Sequence, residues 1–561
     1  MTRIQRAITL PALLLTASFA HAGVTDGLDD EARNALAARA GAPLFDGMGN
    51  HHHPVTTRDA DAQRYFDQGL IIDYGFNHAE SARSFRAAQT LDPDCAMCYW
   101  GEALALGPNI NVTSDGKVIM ADDDRINAHR AVQKAISLKD KVSQKERDYI
   151  DALAARYNGK PDTPREPLDE AYMNAMRELH HKYPEDDDAA SLFAESIMNT
   201  MPWDYWLDGS NPKPLAREAI DVLETVLERS PEHPMAIHLY IHAVEASDRP
   251  ERAEGPADTL QNLVPGSGHL VHMPSHIYYR VGRYHDASRA NELAAAVDEA
   301  YIAQCNAQGF YPAAYYPHNI HFLWASASME GRSAVAIEAG EKVAKNVRLE
   351  MIEEFPSVEF FKTIPMQSLV QFGRWDDVLA LEPPPADLEY SRGIWHYARA
   401  TAFARTGRLP QARAERAKLV PLKDATDVQF LDTLLYPATM LLDIADSLTL
   451  GEIAMAEEDY AAAIGHYRAA VEVQDELPYT EPPFWYYPTR HSLGKALLAA
   501  GRPAEAEAVY RKNLENYPRN GWAMYGLILA LEAQGKDASD VQERFDTVWS
   551  QADVTLTASR F

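Results

Sequence analysis

Histidine is the residue type on which this sequence concentrates its chemistry. The stretch Met235-Ala-Ile-His238-Leu-Tyr-Ile-His242-Ala-Val-Glu245 sets two imidazoles and a carboxylate at i, i+4 and i+7, which is one stripe of an α-helix. His269, His272 and His276 follow at i, i+3 and i+7, and His318-Asn-Ile-His321 adds a third group. Imidazole is the commonest protein ligand for transition metals, and a helical histidine pair with a carboxylate nearby suits Zn²⁺, Cu²⁺, Fe²⁺ or Ni²⁺. The expected ligands are His238, His242, His269, His272, His276, His318 and His321. Glu245 is placed to be a further ligand, a partner that orients His242, or a general base toward bound water. Tyr240 and Tyr279 are candidate hydrogen-bond donors to a bound anion or substrate, and Glu245 and Tyr279 are the residues expected to serve catalysis. The competing reading is structural, because single buried histidines commonly bond to backbone carbonyls.

The elements that must position these rings are helices. Ala-rich amphipathic stretches alternate with Gly-Arg, Pro-Asp and Asn-Pro punctuation, and alternating β-prone runs are almost absent, so an all-α fold is expected. A 34-residue frame recurs: Gly69, Phe85, Ala88 and Pro93 stand at offsets 8, 24, 27 and 32, Gly494, Ala506, Tyr510 and Pro518 repeat that spacing, and Gly451, Ala463, Tyr467 and Ala470 give it again. This pattern resembles the tetratricopeptide repeat family. The resemblance implies a right-handed solenoid of helix pairs, with small residues allowing close helix approach and first helices lining an inner groove. Copies start near residues 62, 96, 234, 268, 317, 393, 444 and 487, with a half copy from about 521. The frame is lost between residues 108 and 200, where Asp115-Gly116 between short β-prone runs predicts a small hairpin, and again over residues 298–316.

In that frame, anchored by Ala253, Pro265, Gly282, Ala287, Gly331 and Ala336, positions 2, 5 and 9 of three consecutive units read Met235, His238, His242; His269, His272, His276; and His318, His321, Ala325. Seven of nine slots are histidine in a chain with 20 histidines among 561 residues, so independent placement is a poor explanation. The resemblance assigns those positions to the inner groove, where the imidazoles should converge. Pro274, at position 7, breaks a helix or begins one, which would leave His269 and His272 in a loop still within reach of His276.

Arg3 and Arg6, the apolar run Ala7 to Phe19 and the ending Ala20-His21-Ala22 read as a secretory signal. An anchor helix would need about 20 apolar residues, and this run is shorter and interrupted by Pro11. The expected organisation is a signal over 1–22, an amino-terminal arm over 23–60, amino-terminal repeats with an irregular insertion over 61–200, His-rich central repeats over 201–345 and carboxy-terminal repeats over 346–561, in a periplasmic or secreted protein with no membrane span. A formal charge of -29 argues against nucleic acid as a partner. Cys95 and Cys98 lack a βαβ context and are followed by Tyr99, which excludes haem attachment and leaves a structural disulfide or simple packing ahead of a redox role. His51, His52 and His53 form a solvated loop, or cap the groove and add ligands. Pro-Trp203-Asp-Tyr205-Trp206 is a lid over the groove or a core anchor. No Walker loop, Rossmann fingerprint, Gly-x-Ser-x-Gly elbow or His-Glu-x-x-His is present.

These readings point to an exported tetratricopeptide-like protein with a transition-metal site in its inner groove, a candidate metal-dependent enzyme acting on a small molecule or peptide held there. The alternatives are a metal-free adaptor that binds a peptide or protein in the groove and a binder whose affinity follows imidazole protonation.

Overall fold

A computed structural model describes residues 23–111, 121–305 and 310–561; the signal segment and the turn at Asp115-Gly116 lie outside the described residues. The chain is an all-α solenoid of helix pairs. Ala60–Tyr74 pairs with His78–Leu91, Ala438–Ala456 with Tyr460–Asp475, and Arg490–Ala499 with Pro503–Asn516. Local signals set the starts: Asp59, Asp186, Asp459 and Asn520 each accept a backbone N–H of the first turn they precede, which satisfies donors that a helix cannot satisfy itself.

The recurring glycine has a packing cause. A Cβ on Gly69 or Gly101 would fall against the ring of Phe85, and one on Gly494 or Gly526 would fall 2.3 Å from Tyr510. The aromatic residue at offset 24 therefore fills the space left by the glycine at offset 8 of its own pair, and in these two cases by a glycine of the following pair.

Helices also run through the region where the frame is lost. Asp122–Ser137, Gln144–Ala154, Glu166–Lys182 and Asp187–Met198 continue the stack there, and just beyond it a two-stranded hairpin, Trp206–Asp208 with Asn211–Pro212, separates Asp187–Met198 from Pro214–Arg229. A further pair without a sequence signal, Ile364–Gln371 and Trp375–Ala380, lies between the central and carboxy-terminal repeats; its second helix is six residues long, too short for the frame to register.

The core falls into two main apolar clusters, one reaching from Val24 to Tyr315 and the other from Tyr279 to Leu556, so the histidine-bearing helices lie where the two meet. The carboxy-terminal end returns to this junction. Trp522 donates Nε1–H to the Ser328 carbonyl at 2.9 Å, and the Asp553 carboxylate caps the Ser333–Asn346 helix through the N–H groups of Ser333 and Ala334. Among the described residues no helix is long and apolar enough to cross a membrane.

Candidate functional site

Three helical segments carry the histidines. Pro234–Val244 is buried along its whole length, with Pro234 at its first position and His233 capping its start. His238 and His242 share one face of it, and Glu245 follows at its end. Gly268–His272 carries His269 and His272, and Pro274–Arg280 carries His276. Pro274 interrupts the helix without opening a loop, because Met273 keeps helical dihedrals between the two pieces. Tyr316–Met329 brings His318 and His321.

Six of the seven candidate ligands converge. Ligand atoms of His238, His242 and His269 lie within 4.8 Å of one another, as do those of His272, His276 and His318. The hydrogen bonds fix which nitrogens face inward. His238 donates Nδ1–H to the Tyr74 carbonyl at 2.5 Å, and His242 and His276 donate Nδ1–H to the two oxygens of Glu245 at 2.8 and 2.6 Å. His272 donates Nδ1–H to Asn291 Oδ1 at 2.6 Å, while Asn291 itself donates to the Ala287 carbonyl and so keeps that oxygen turned to the ring. Each of these four imidazoles therefore presents Nε2. The Nε2 atoms of His238 and His242 and both nitrogens of His269 are buried without a hydrogen-bond partner. The Nε2 atoms of His272 and His276 face each other at 2.9 Å, a separation that needs a proton or another cation between two lone pairs.

The electrostatics follow from burial and from Glu245. Burial, reinforced by neighbouring imidazoles, pushes His238, His269, His272 and His318 well below the usual histidine range. His242 is lowered too, burial outweighing Glu245. For His276 burial acts downward but the Glu245 carboxylate prevails and raises it. Burial alone would raise Glu245; the charge of His276 and the hydrogen bonds from His242 and His276 hold it well below the carboxylate range.

Aromatic rings close the site. Phe76 packs 4.4 Å from His238 and stacks on His242 and His269. Trp203 stands edge-on to His242 at 5.0 Å, anchored by its Nε1–H on Asn111, and is 44% exposed. Both residues hold positive φ, 57° and 65°, a conformation costing about 1–3 kcal/mol in a bulky residue and characteristic of functional sites. Trp203 thus lies at the surface against His242, whereas Tyr205 is buried.

Three candidates stand apart. His321 stacks on Trp324 and packs against Phe360 and Phe361, outside both sets of ligand atoms. Tyr279 is one ring removed, edge-on to Phe322, which itself packs on His276. The Tyr240 hydroxyl donates to Glu224 at 2.7 Å and accepts from Arg252.

Other residues of the site carry no signal in the frame. Tyr479 reaches Glu245 Oε2 with its hydroxyl at 3.3 Å and donates to Glu481 at 2.5 Å. Glu481 Oε2 is buried without a partner, and burial, then the Glu245 charge, raises Glu481 above the usual carboxylate range. A second constellation adjoins the first. Asp188 accepts from His51 Nε2 at 3.0 Å, His53 Nδ1 at 2.6 Å, His233 Nε2 at 3.2 Å and the Tyr74 hydroxyl at 2.6 Å. It borders a cavity of about 620 Å³ lined also by His52 and Lys145. His233 Nδ1 accepts the Ala236 N–H, so its Nε2 carries the hydrogen and has no lone pair for a metal. Asp188 thus pins the amino-terminal arm. Cys95 and Cys98 are bonded to each other.

No protein-family model matches the chain, and no curated protein matches it. Similar solved structures include the human IFIT1 dimer with m7Gppp-AAAA, 12% identical over 94% of this chain and 96% of that chain with a TM-score of 0.28. The human IFIT1 dimer with PPP-AAAA is 12% identical over 94% and 96%, with a TM-score of 0.30. The APC/C hetero-tetramer Cut9-Hcn1 is 12% identical over 88% of each chain, with a TM-score of 0.25. The likeness concerns the helical-repeat fold alone.

Proposed function

We propose that this chain is a divergent, exported member of the tetratricopeptide repeat family that holds a transition metal on imidazoles of its central repeats and uses it as a metal-dependent enzyme. The observation that carries this reading is the outward commitment of four Nδ1–H groups, which leaves the Nε2 atoms of His238 and His242 buried without a partner, beside the unpartnered ring of His269, and sets those of His272 and His276 against each other. Leaving a buried polar atom unpaired costs about 1–3 kcal/mol, and an ion about 2 Å from several imidazoles removes that cost at once. Neutral nitrogen donors without thiolate suit copper, zinc, nickel or ferrous iron, not magnesium or calcium.

A bound ion would polarise a small ligand or acidify its water. Both oxygens of Glu245 serve His242 and His276, which supports a positioning role for it. Glu481 has an oxygen without a partner, and burial beside the Glu245 charge raises its proton affinity above that of an ordinary carboxylate, the properties wanted in a group that moves protons. The basic, apolar and small-residue sequence of residues 1–22 and the Cys95–Cys98 disulfide support an oxidising compartment, periplasmic or extracellular. Protein stripped with chelator and dialysed against micromolar Zn²⁺ or Cu²⁺ should retain metal, and His242→Ala with His276→Ala should abolish retention. Wild-type protein that stays metal-free overturns the proposal.

A further inference from the structure

Resting on that metal reading, we infer that the centre takes two ions and not one: His238, His242 and His269 hold the first, and His272, His276 and His318 hold the second. The imidazole nitrogens form these two all-histidine sets of three, each within 4.8 Å, while the remaining grouping of His242 and His276 goes through Glu245, whose oxygens their Nδ1 atoms already occupy. In the first set the rings stand at 4.9 Å for His238 and His242, 5.0 Å for His238 and His269 and 6.4 Å for His242 and His269, and in the second at 4.8 Å for His272 and His276, 4.7 Å for His272 and His318 and 5.7 Å for His276 and His318, so His238 and His272 are the hubs of the two sets. Across them, the ring contacts are His242 with His276 at 5.3 Å and His269 with His272 at 5.7 Å.

Each set has its own outer support. Tyr74 turns His238 and Asn291 turns His272, while Glu245 gives one oxygen to a ring of each set. Outer partners of this kind fix ring orientation and tautomer in metal sites, and here they prepare two triads independently, joined by one shared carboxylate. The separation of the facing His272 and His276 nitrogens, 2.9 Å, is that of two donors each about 2.0–2.1 Å from one ion at a right angle.

As metal ligands the six imidazoles would be neutral, His276 giving up its proton to make way for the ion, and Glu245 contributes a single negative charge. Two neighbouring cations would repel, and three imidazoles apiece would leave room for a further ligand, so a small anion such as hydroxide is the class of ligand this centre would take. Copper and zinc are the ions that neutral nitrogen triads accept readily.

Elemental mass spectrometry on the intact protein, stripped with chelator, reloaded with Cu²⁺ or Zn²⁺ and desalted, should find two ions per chain. His238→Ala and His318→Ala should each reduce this to one, and the double variant to none. Cu²⁺-loaded wild type should give a weaker electron paramagnetic resonance signal per copper than either single variant, because adjacent Cu²⁺ spins couple. One ion per wild-type chain, lost in both single variants, overturns the two-ion centre while keeping the metal reading; no ion overturns both. Two ions surviving His238→Ala would place metal elsewhere and also overturn it. The wild-type ratio decides the matter even where a variant fails to fold, which circular dichroism reports.

Discussion

Tyr74 donates its hydroxyl to Asp188 at 2.6 Å while its own carbonyl accepts from His238 Nδ1 at 2.5 Å. One residue thus ties the pinned arm to the histidine centre, through its side chain on one side and its backbone on the other. The two functions separate on substitution. Tyr74→Phe leaves Asp188 with three imidazole donors and should lower stability by about 1–2 kcal/mol, read by chemical denaturation. Metal retention should not change, because the carbonyl remains. A Tyr74→Phe protein that folds and loses metal would contradict the assignment of His238.

The arm should respond to pH through the same carboxylate. Burial acts to lower His53, but the charge and hydrogen bond of Asp188, with help from Asp186 and against Lys145, raise it above its ordinary value. Burial acts to raise Asp188, yet the charges and hydrogen bonds of His51, His53 and His233 hold it well below the carboxylate range. A raised histidine stabilises fully below its unfolded value and stops doing so as pH climbs through its folded one; a depressed aspartate stabilises above its unfolded value and stops doing so as pH falls. The arm is therefore docked most firmly between roughly pH 4 and 6.5 and loosens toward alkaline pH. Hydrogen exchange over residues 49–56, normalised to intrinsic rates, should rise between pH 6.5 and 9. His53→Gln should flatten that limb, and an equal rise in the variant would exclude His53 as its source.

The central histidines were legible because they occupy equivalent positions of a repeat whose helices are stereotyped, so spacing alone translates into a shared face. Tyr479 and Glu481 were not. They reach Glu245 from 234 residues away in the case of Tyr479, because the carboxy-terminal repeats return to the Tyr316–Met329 helix, a consequence of superhelical closure that no local period encodes. His51 and His53 belong to no element, so only the tertiary position of Asp188 reveals their role. His321 sits on the right face in the frame, yet its ring lies among Trp324, Phe360 and Phe361, the last two from a segment without a repeat signal.

Glu245→Gln tests whether the carboxylate positions ligands. The amide oxygen can still accept from one ring, but the amide N–H₂ opposes the Nδ1–H of the other. Loss of an outer-sphere partner typically weakens metal binding about 10–100-fold. Competition with a chromophoric chelator should show a loss of that size, with Glu245→Asp intermediate. Unchanged affinity in a folded Glu245→Gln protein would remove Glu245 from the ligand-orienting role.

Trp203 offers a direct optical report on the centre. Its ring is 5.0 Å from that of His242, close enough for Cu²⁺ bound at His242 to quench its emission. Cu²⁺ should therefore quench wild-type fluorescence with saturation, and Trp203→Phe should lose the larger part of the quenched amplitude while binding as much metal. Equal quenching in the variant would place the ion nearer another tryptophan.

The repeat glycines make a paired stability test. At Gly494 a Cβ would lie 2.3 Å from the Tyr510 ring, and that ring cannot retreat: Gly526 approaches it equally closely and its hydroxyl is bonded to Ser559 at 2.7 Å. Gly494→Ala should destabilise by about 1–3 kcal/mol through overpacking, despite the better helix propensity of alanine. Gly465 lies in the exposed middle of the Tyr460–Asp475 helix with nothing near its Cβ position. Gly465→Ala should stabilise by about 0.5–1 kcal/mol, since only propensity acts there. Denaturant midpoints of the two variants should therefore move in opposite directions, and a shift of the same sign would show that the glycine at offset 8 is not retained for the ring at offset 24.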